Sequence, residues 1–290
     1  MYISELLNVS ADKLDFYDMD LEQDTKLFLE PGLIQTLDDD MSHHAQAIID
    51  DYFDALYEAY RRNASTAEKA ALVAHVKEPN YTKLGYGNGN NGKAKTPQGM
   101  LDVFQVLDPL YQLGLEIRSP LDLNIFLKKF AEDCLSDLLT NLLADELSRY
   151  TYEQCVYFGV DAQYFQKPKK KVYYWCIDTH MWEQSQRPQL VIDGRMILFV
   201  PKHWLRTRIY CGTNHFIRQT IIERFREERT IKMDNGKISR PLVKDINTQL
   251  HQQYGSSKDI ALYFARKDPF ILRDYHQNVS AYYHKHFAEL

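Results

Sequence analysis

The stretch FLKKFAEDCLSDLLTNLLADELSRYTYEQCVYFG at residues 126–159 constrains this chain most, because it reads as one long helix with two faces of opposite character. Leu135, Leu138, Leu139, Leu142 and Leu143 recur at three- and four-residue steps and form an apolar face that must be buried. Asp133, Asp137, Asn141 and Asp145 fall four residues apart and stack along a second face. Carboxylates one turn apart repel each other, which a solvated face tolerates at small cost. A divalent cation turns the same repulsion into a reason for the spacing. Phe126 and Phe130 fall near the acid face, which argues that its N-terminal end is covered. A wet polar stripe and a covered polar site are thus the two readings.

With 290 residues the chain can bury a large core, as one big domain or two modest ones. Its charge is divided unevenly. Residues 1–166 hold 13 Lys and Arg against 28 Asp and Glu, a net −15, whereas residues 167–290 hold 22 against 12, a net +10. We therefore divide the chain into an acidic, mostly helical region at 1–165 and a basic α/β region at 166–290, which can still pack as one unit. An acidic half can collect metal ions or a basic partner, and a basic half suits a phosphate backbone. The plainer alternative is that the halves attract each other. Cys134, Cys155, Cys176 and Cys211 are widely spaced without ligand-type pairs, so reduced thiols in a cytoplasmic protein are expected. No apolar run approaches membrane length, and no membrane contact is expected.

Taken in order, residues 15–31 alternate acids with apolar residues and end at Pro31, which predicts an extended segment and turn. Residues 38–62 predict a helix burying Ile48, Ile49, Tyr52, Phe53, Leu56 and Tyr60. Ser65 and Glu68 form a capping box for a helix through Val76. Residues 87–94, GNGNNGKA, come within one residue of a P-loop but have Ala94 where the magnesium-binding hydroxyl belongs, and no apolar strand precedes them. A mobile lid or a plain connector fits better. Residues 101–115 read as a helix, and Pro120 leads into the long helix. VYYWCID and QLVIDGRMILFVP read as strands, the second folding at Asp193-Gly194. A charged helix at 215–229, a hairpin at Asp234-Asn235-Gly236, two short helices and a tyrosine-rich final helix complete the chain. The fold class is α+β: a mainly helical N-terminal half, a small antiparallel or mixed sheet in the middle, and a helical C-terminal part.

Four separated stretches carry a family resemblance: DTKLFLEP, EPNYTKLGYGNGNNG, FAEDCLSDLLTNLLADELSRYTYEQCVYFG, and MILFVPKHWLR with the NGK hairpin and KDPFILRDYH behind it. Together they resemble an uncharacterised family of bacterial proteins often encoded near mobile elements and phage-defence genes. The resemblance implies that Asp133, Asp137, Thr140 and Asn141 belong to a family motif, and it supplies no activity.

Two functions of different class follow. The first is a metal-dependent, nuclease-like effector acting on nucleic acid in anti-phage defence. Phosphodiester hydrolysis needs carboxylates to hold Mg²⁺ or Mn²⁺ and a cation for the developing charge. Asp133 and Asp137 would hold the metal, Glu78 or an acid between Asp20 and Glu30 would complete the site, and Lys202 would sit near the scissile phosphate. Val200-Pro201-Lys202 lacks the acid that a (D/E)xK strand requires. Lys169, Lys170, Lys171, Arg206 and Arg208, interleaved with rings, would bind the strand. The second is a non-catalytic component that binds nucleic acid or a partner protein within a defence or mobile-element system.

Overall fold

The computed structural model describes residues 1–86, 96–167 and 171–287. The fold is α+β and 55% helical, with small antiparallel sheets in the middle and helices at both ends. Asp39 caps the helix Asp40–Arg61 by accepting the Ser42 amide at 2.9 Å, and the expected apolar face, Ile48 to Tyr60, is buried. Ser65 and Glu68 form their capping box on the helix Thr66–Val73. The helix expected over 101–115 is two, Pro97–Phe104 and Leu107–Gln112.

The long helix read at 126–159 is three helices, Pro120–Phe126, Glu132–Leu142 and Ala144–Tyr157. Lys129 takes a left-handed conformation at φ 67° in the first break, and Leu143 makes the second at φ −89°, ψ 9°. A distant residue accounts for the first break. The Lys258 ammonium donates to the carbonyls of Leu127 and Phe130, which lie between the first two helices, and the Leu127 carbonyl also accepts the Phe130 amide at 3.3 Å. Asp145 therefore leaves the acid row and accepts hydrogen bonds from Ser185 and Arg187.

The helix Glu132–Leu142 lies at the centre. Its leucines, and also Ser136, Asp137, Thr140 and Asn141, are buried, so both faces are covered. It touches the strands Phe28–Leu29 and Tyr173–Cys176 and the helix Asp40–Arg61. Phe28 pairs with Arg206 in a two-stranded sheet with Leu205–Arg206. Tyr173–Cys176 pairs with Met181–Gln184, opposing Trp175 to Trp182. The second strand of that hairpin escapes a sequence reading because Glu183 and Gln184 give it little apolar character. Phe165–Gln166, Gln189–Ile192 and Arg195–Ile197 form the three-stranded sheet, which turns at Asp193 and Gly194, both at positive φ as a tight hairpin needs.

One hydrophobic core runs from Leu29 to Tyr283 and so includes residues of both the acidic and the basic region. A smaller cluster gathers Phe16, Tyr150, Cys155 and Phe199, with the Phe16 and Phe199 rings stacked at 4.0 Å. The final helix, Ile271–Phe287, closes over the helix Pro31–Thr36. Among the described residues no helix is long and apolar enough to cross a membrane.

Candidate functional site

Residues 77–86 run antiparallel along the acid face of the central helix. Asn141 Nδ2 donates to the Lys77 carbonyl at 2.7 Å. Burial, with the Asp137 charge adding to it, pushes the neighbouring Tyr81 phenol well above its ordinary pKa. A Cβ at Gly85 would stand 2.9 Å from Asp133 Oδ1, and Tyr86 OH donates to Glu132 Oε2 at 2.9 Å. The register is therefore 77 on 141, 81 on 137, 85 on 133 and 86 on 132. Four helical residues rise about 6 Å, which an extended strand covers in two residues. Residues 77–86 match the slower rise by turning at 78–82 and by taking left-handed conformations at Lys83 (φ 54°) and Gly85 (φ 128°). The backbone is pinned from outside as well: Thr25 N donates to Lys83 O at 2.8 Å, Gly85 N to Thr25 O at 3.0 Å, and Leu198 N to Tyr81 O at 2.9 Å.

The covered reading of the acid row is thus the observed one, and its cover is protein. Glu78 belongs to the covering segment and lines a cleft above it. Among the described residues no three His, Cys, Asp or Glu side chains converge to hold a metal ion. Asp133 and Asp137 share one face of the helix Glu132–Leu142, and no third such side chain gathers beside them among the described residues. Lys202 is placed elsewhere: its ammonium donates to Leu14 O and its amide to Asp15 O at 3.1 Å. Arg206 stacks over Phe287 at 4.4 Å, and Arg208 lines a separate cavity. Lys171 lines the cleft. Lys169, Lys170 and the P-loop-like run at 87–94 lie outside the described residues.

The cleft has a volume of about 550 Å³. Its floor is apolar, with Tyr81, Val172, Val191, Met196 and Ile197, and its rim carries Lys77, Lys83, Lys167, Lys171 and Arg195. Against these five cations the described lining holds one carboxylate, Glu78. Lys83 lies 3.7 Å from Asp24 and Arg195 3.9 Å from Glu22, wide and partly solvated pairs that neutralise the rim little. Lys77, Lys83 and Arg195 were not singled out in the sequence. They stand apart singly, and only the hairpin at Asp193-Gly194, which throws Arg195 to the end of its sheet, hinted at one of them.

A second acid is buried at the other end of the core. Glu30 is fully buried at the start of the helix Pro31–Thr36, where Oε2 accepts the Tyr210 amide at 2.7 Å and Oε1 the Tyr283 hydroxyl at 2.5 Å. Burial pushes its carboxyl up to about 7, against the pull of those hydrogen bonds and of Arg206. It is joined to the C-terminal helix, and so does not complete the acid row. Gly32 is required beside it, because a Cβ there would fall 2.0 Å from the Tyr283 ring.

Residues 7–211 match a protein family described as a domain of unknown function (DUF8370). The chain belongs to that family. The matched span contains the central helix, its covering segment, the whole described lining of the cleft, and Glu30. It ends at Cys211, before the helices that carry Arg218, Lys258 and Tyr283. No curated protein and no solved structure matches the chain.

Proposed function

We propose that the protein is a nucleic-acid-binding component that takes a single strand into the cleft. The observation that carries this is the five-cation rim over an apolar floor. Lysine and arginine neutralise phosphates, and an apolar floor receives bases or sugars, the combination that single-strand grooves use. A volume near 550 Å³ suits one or two nucleotides and is too small for a duplex. The binding reading needs no metal and leaves the acid row a structural seam.

The test is anisotropy of labelled single-stranded DNA, RNA and duplex DNA across a salt series. Wild-type protein is expected to bind a single strand with a steep salt dependence. Lys171→Glu with Arg195→Glu should weaken binding at least ~tenfold and flatten the salt slope. Equal affinity in the charge-reversed protein overturns the reading.

A nuclease reading is favoured by one observation, the Glu78 carboxylate inside the same cleft as the cations. Cleavage of the bound strand with Mg²⁺ or Mn²⁺ present, lost in Glu78→Gln while binding persists, would establish it. Intact substrate under those conditions removes it and leaves the binding role.

A further inference from the structure

A second cavity, of about 490 Å³, opens where the helix Pro120–Phe126 ends and the central helix begins, on the far side of Glu132 from the covering segment's Tyr86. Arg208, Arg218 and Lys258 line it, together with Asn124, His215 and Glu132. Asn124 is 6% exposed, its backbone carbonyl accepts from Thr213, and its side-chain amide makes no hydrogen bond to any described residue. The polar atoms of that amide are not sealed from solvent, so they can be hydrated in the cavity and are available to a ligand that enters it. Gly212 lies beside it: a Cβ built there would stand 3.8 Å from Asn124 Nδ2, an ordinary contact distance.

The charges in the cavity are not spent on one another. Glu132 accepts the Ile209 amide at 3.0 Å through one oxygen and the Tyr86 hydroxyl at 2.9 Å through the other. Arg208 and Arg218 are exposed at the rim. Lys258 commits two of its three donors to the carbonyls of Leu127 and Phe130. His215 shares its Nδ1 with Tyr275 OH at 2.7 Å, while its Nε2 is buried with no partner among the described residues. Burial, helped by His286 and Arg218, lowers this imidazole to about 4, so it is neutral near pH 7 and offers hydrogen bonding without charge.

We propose that this cavity binds a phosphate monoester, gripped by the guanidiniums of Arg208 and Arg218, with Lys258 as a point charge and the Asn124 amide as a neutral donor. Two arginine forks match the oxygens of a terminal phosphate, and the volume admits a mononucleotide. The phosphate can belong to a free nucleotide or to the 5′ end of a strand. The site shares no residue with the cleft and does not depend on the cleft's role.

Calorimetry on the full chain tests it, with 5′-AMP, adenosine, a 5′-phosphorylated dinucleotide and its 5′-hydroxyl counterpart as probes. Both phosphorylated probes are expected to bind saturably, and the two lacking the phosphate to bind at least ~tenfold more weakly. The tighter of the two phosphorylated probes identifies the source as free nucleotide or strand end. Arg218→Ala, an exposed position, should weaken binding at least ~tenfold, and Asn124→Ala should weaken it in protein that still unfolds cooperatively. Lys171→Glu, in the cleft, should leave it unchanged. Adenosine binding as tightly as 5′-AMP, indifference to Arg218→Ala, or no heat from either phosphorylated probe overturns the proposal.

Discussion

Asp137 and Glu30 are both carboxylates that the fold withdraws from water, and the two burials are built differently. Asp137 lies beneath an irregular segment, 77–86, whose turns match the helical rise and whose backbone is held by Thr25, Leu198 and Asn141. Glu30 lies beneath a regular helix, where one phenol and one amide meet its two oxygens and a glycine admits the Tyr283 ring. The first seam depends on backbone conformation spread over ten residues. The second depends on steric fit and a single proton. Buried acids in one protein can therefore respond to different perturbations, and three substitutions separate them.

The largest effect is expected at Gly32. In Gly32→Ala a methyl group must displace a fully buried aromatic ring, and stability should fall by about 3 kcal/mol or more, read by urea unfolding. Limited proteolysis should release the C-terminal helix before the core opens. A loss below about 1 kcal/mol would mean that the Tyr283 seat adapts, and the steric side of the comparison fails.

Next is the proton on Glu30. Its folded carboxyl is raised from 4.5 to about 7, so the folded state holds the proton more tightly than the unfolded chain. The stabilisation is fully present below about pH 4.5 and is lost as pH rises through about 7. The shift corresponds to about 3 kcal/mol. Unfolding free energies at about pH 5 and about pH 8 should show that decline, and Glu30→Gln should flatten it. Tyr283, Cys211 and Arg206 also face this carboxyl, and Arg206 opposes the rise. A slope unchanged in Glu30→Gln assigns the pH dependence elsewhere.

A smaller effect is expected at the central helix. Asn141→Ala removes the 2.7 Å bond to the Lys77 carbonyl and should cost about 2 kcal/mol. Hydrogen exchange should speed up in 77–86 while the C-terminal helix keeps its protection. Equal loosening of both regions would show that the two seams are one cooperative unit.

Much of the architecture was legible in periodicity and turn chemistry. The helix Asp40–Arg61, the Ser65–Glu68 box and the Asp193-Gly194 hairpin rest on neighbours within four residues, where spacing alone decides the outcome. The breaks at Lys129 and Leu143 were not legible. The carbonyls of Leu127 and Phe130 at the first break accept from Lys258, well over a hundred residues away, and no local signal records that contact. The candidate site was legible in half. The four-residue acid spacing and the flanking phenylalanines pointed to a covered polar face, and Glu78 was placed near it. The sequence puts Lys202 near a scissile phosphate, as the cation for the developing charge, and the chain carries it to Leu14 and Asp15.

By itself the sequence determined that the stretch 126–159 would present an apolar face and a row of acids, that the chain would be α+β, and that its charge would divide between its ends. Only the tertiary structure decided what covers the acids. A helix fixes the spacing of its side chains through bonds four residues long, whereas its cover arrives through turns and left-handed residues at 78–85. The match between the two exists only once Thr25, Asn141 and Leu198 hold that segment in place. The same closure gathers Lys77, Lys83, Lys167, Lys171 and Arg195 around one cleft, because cations far apart in the chain become neighbours only when the backbone between them is fixed.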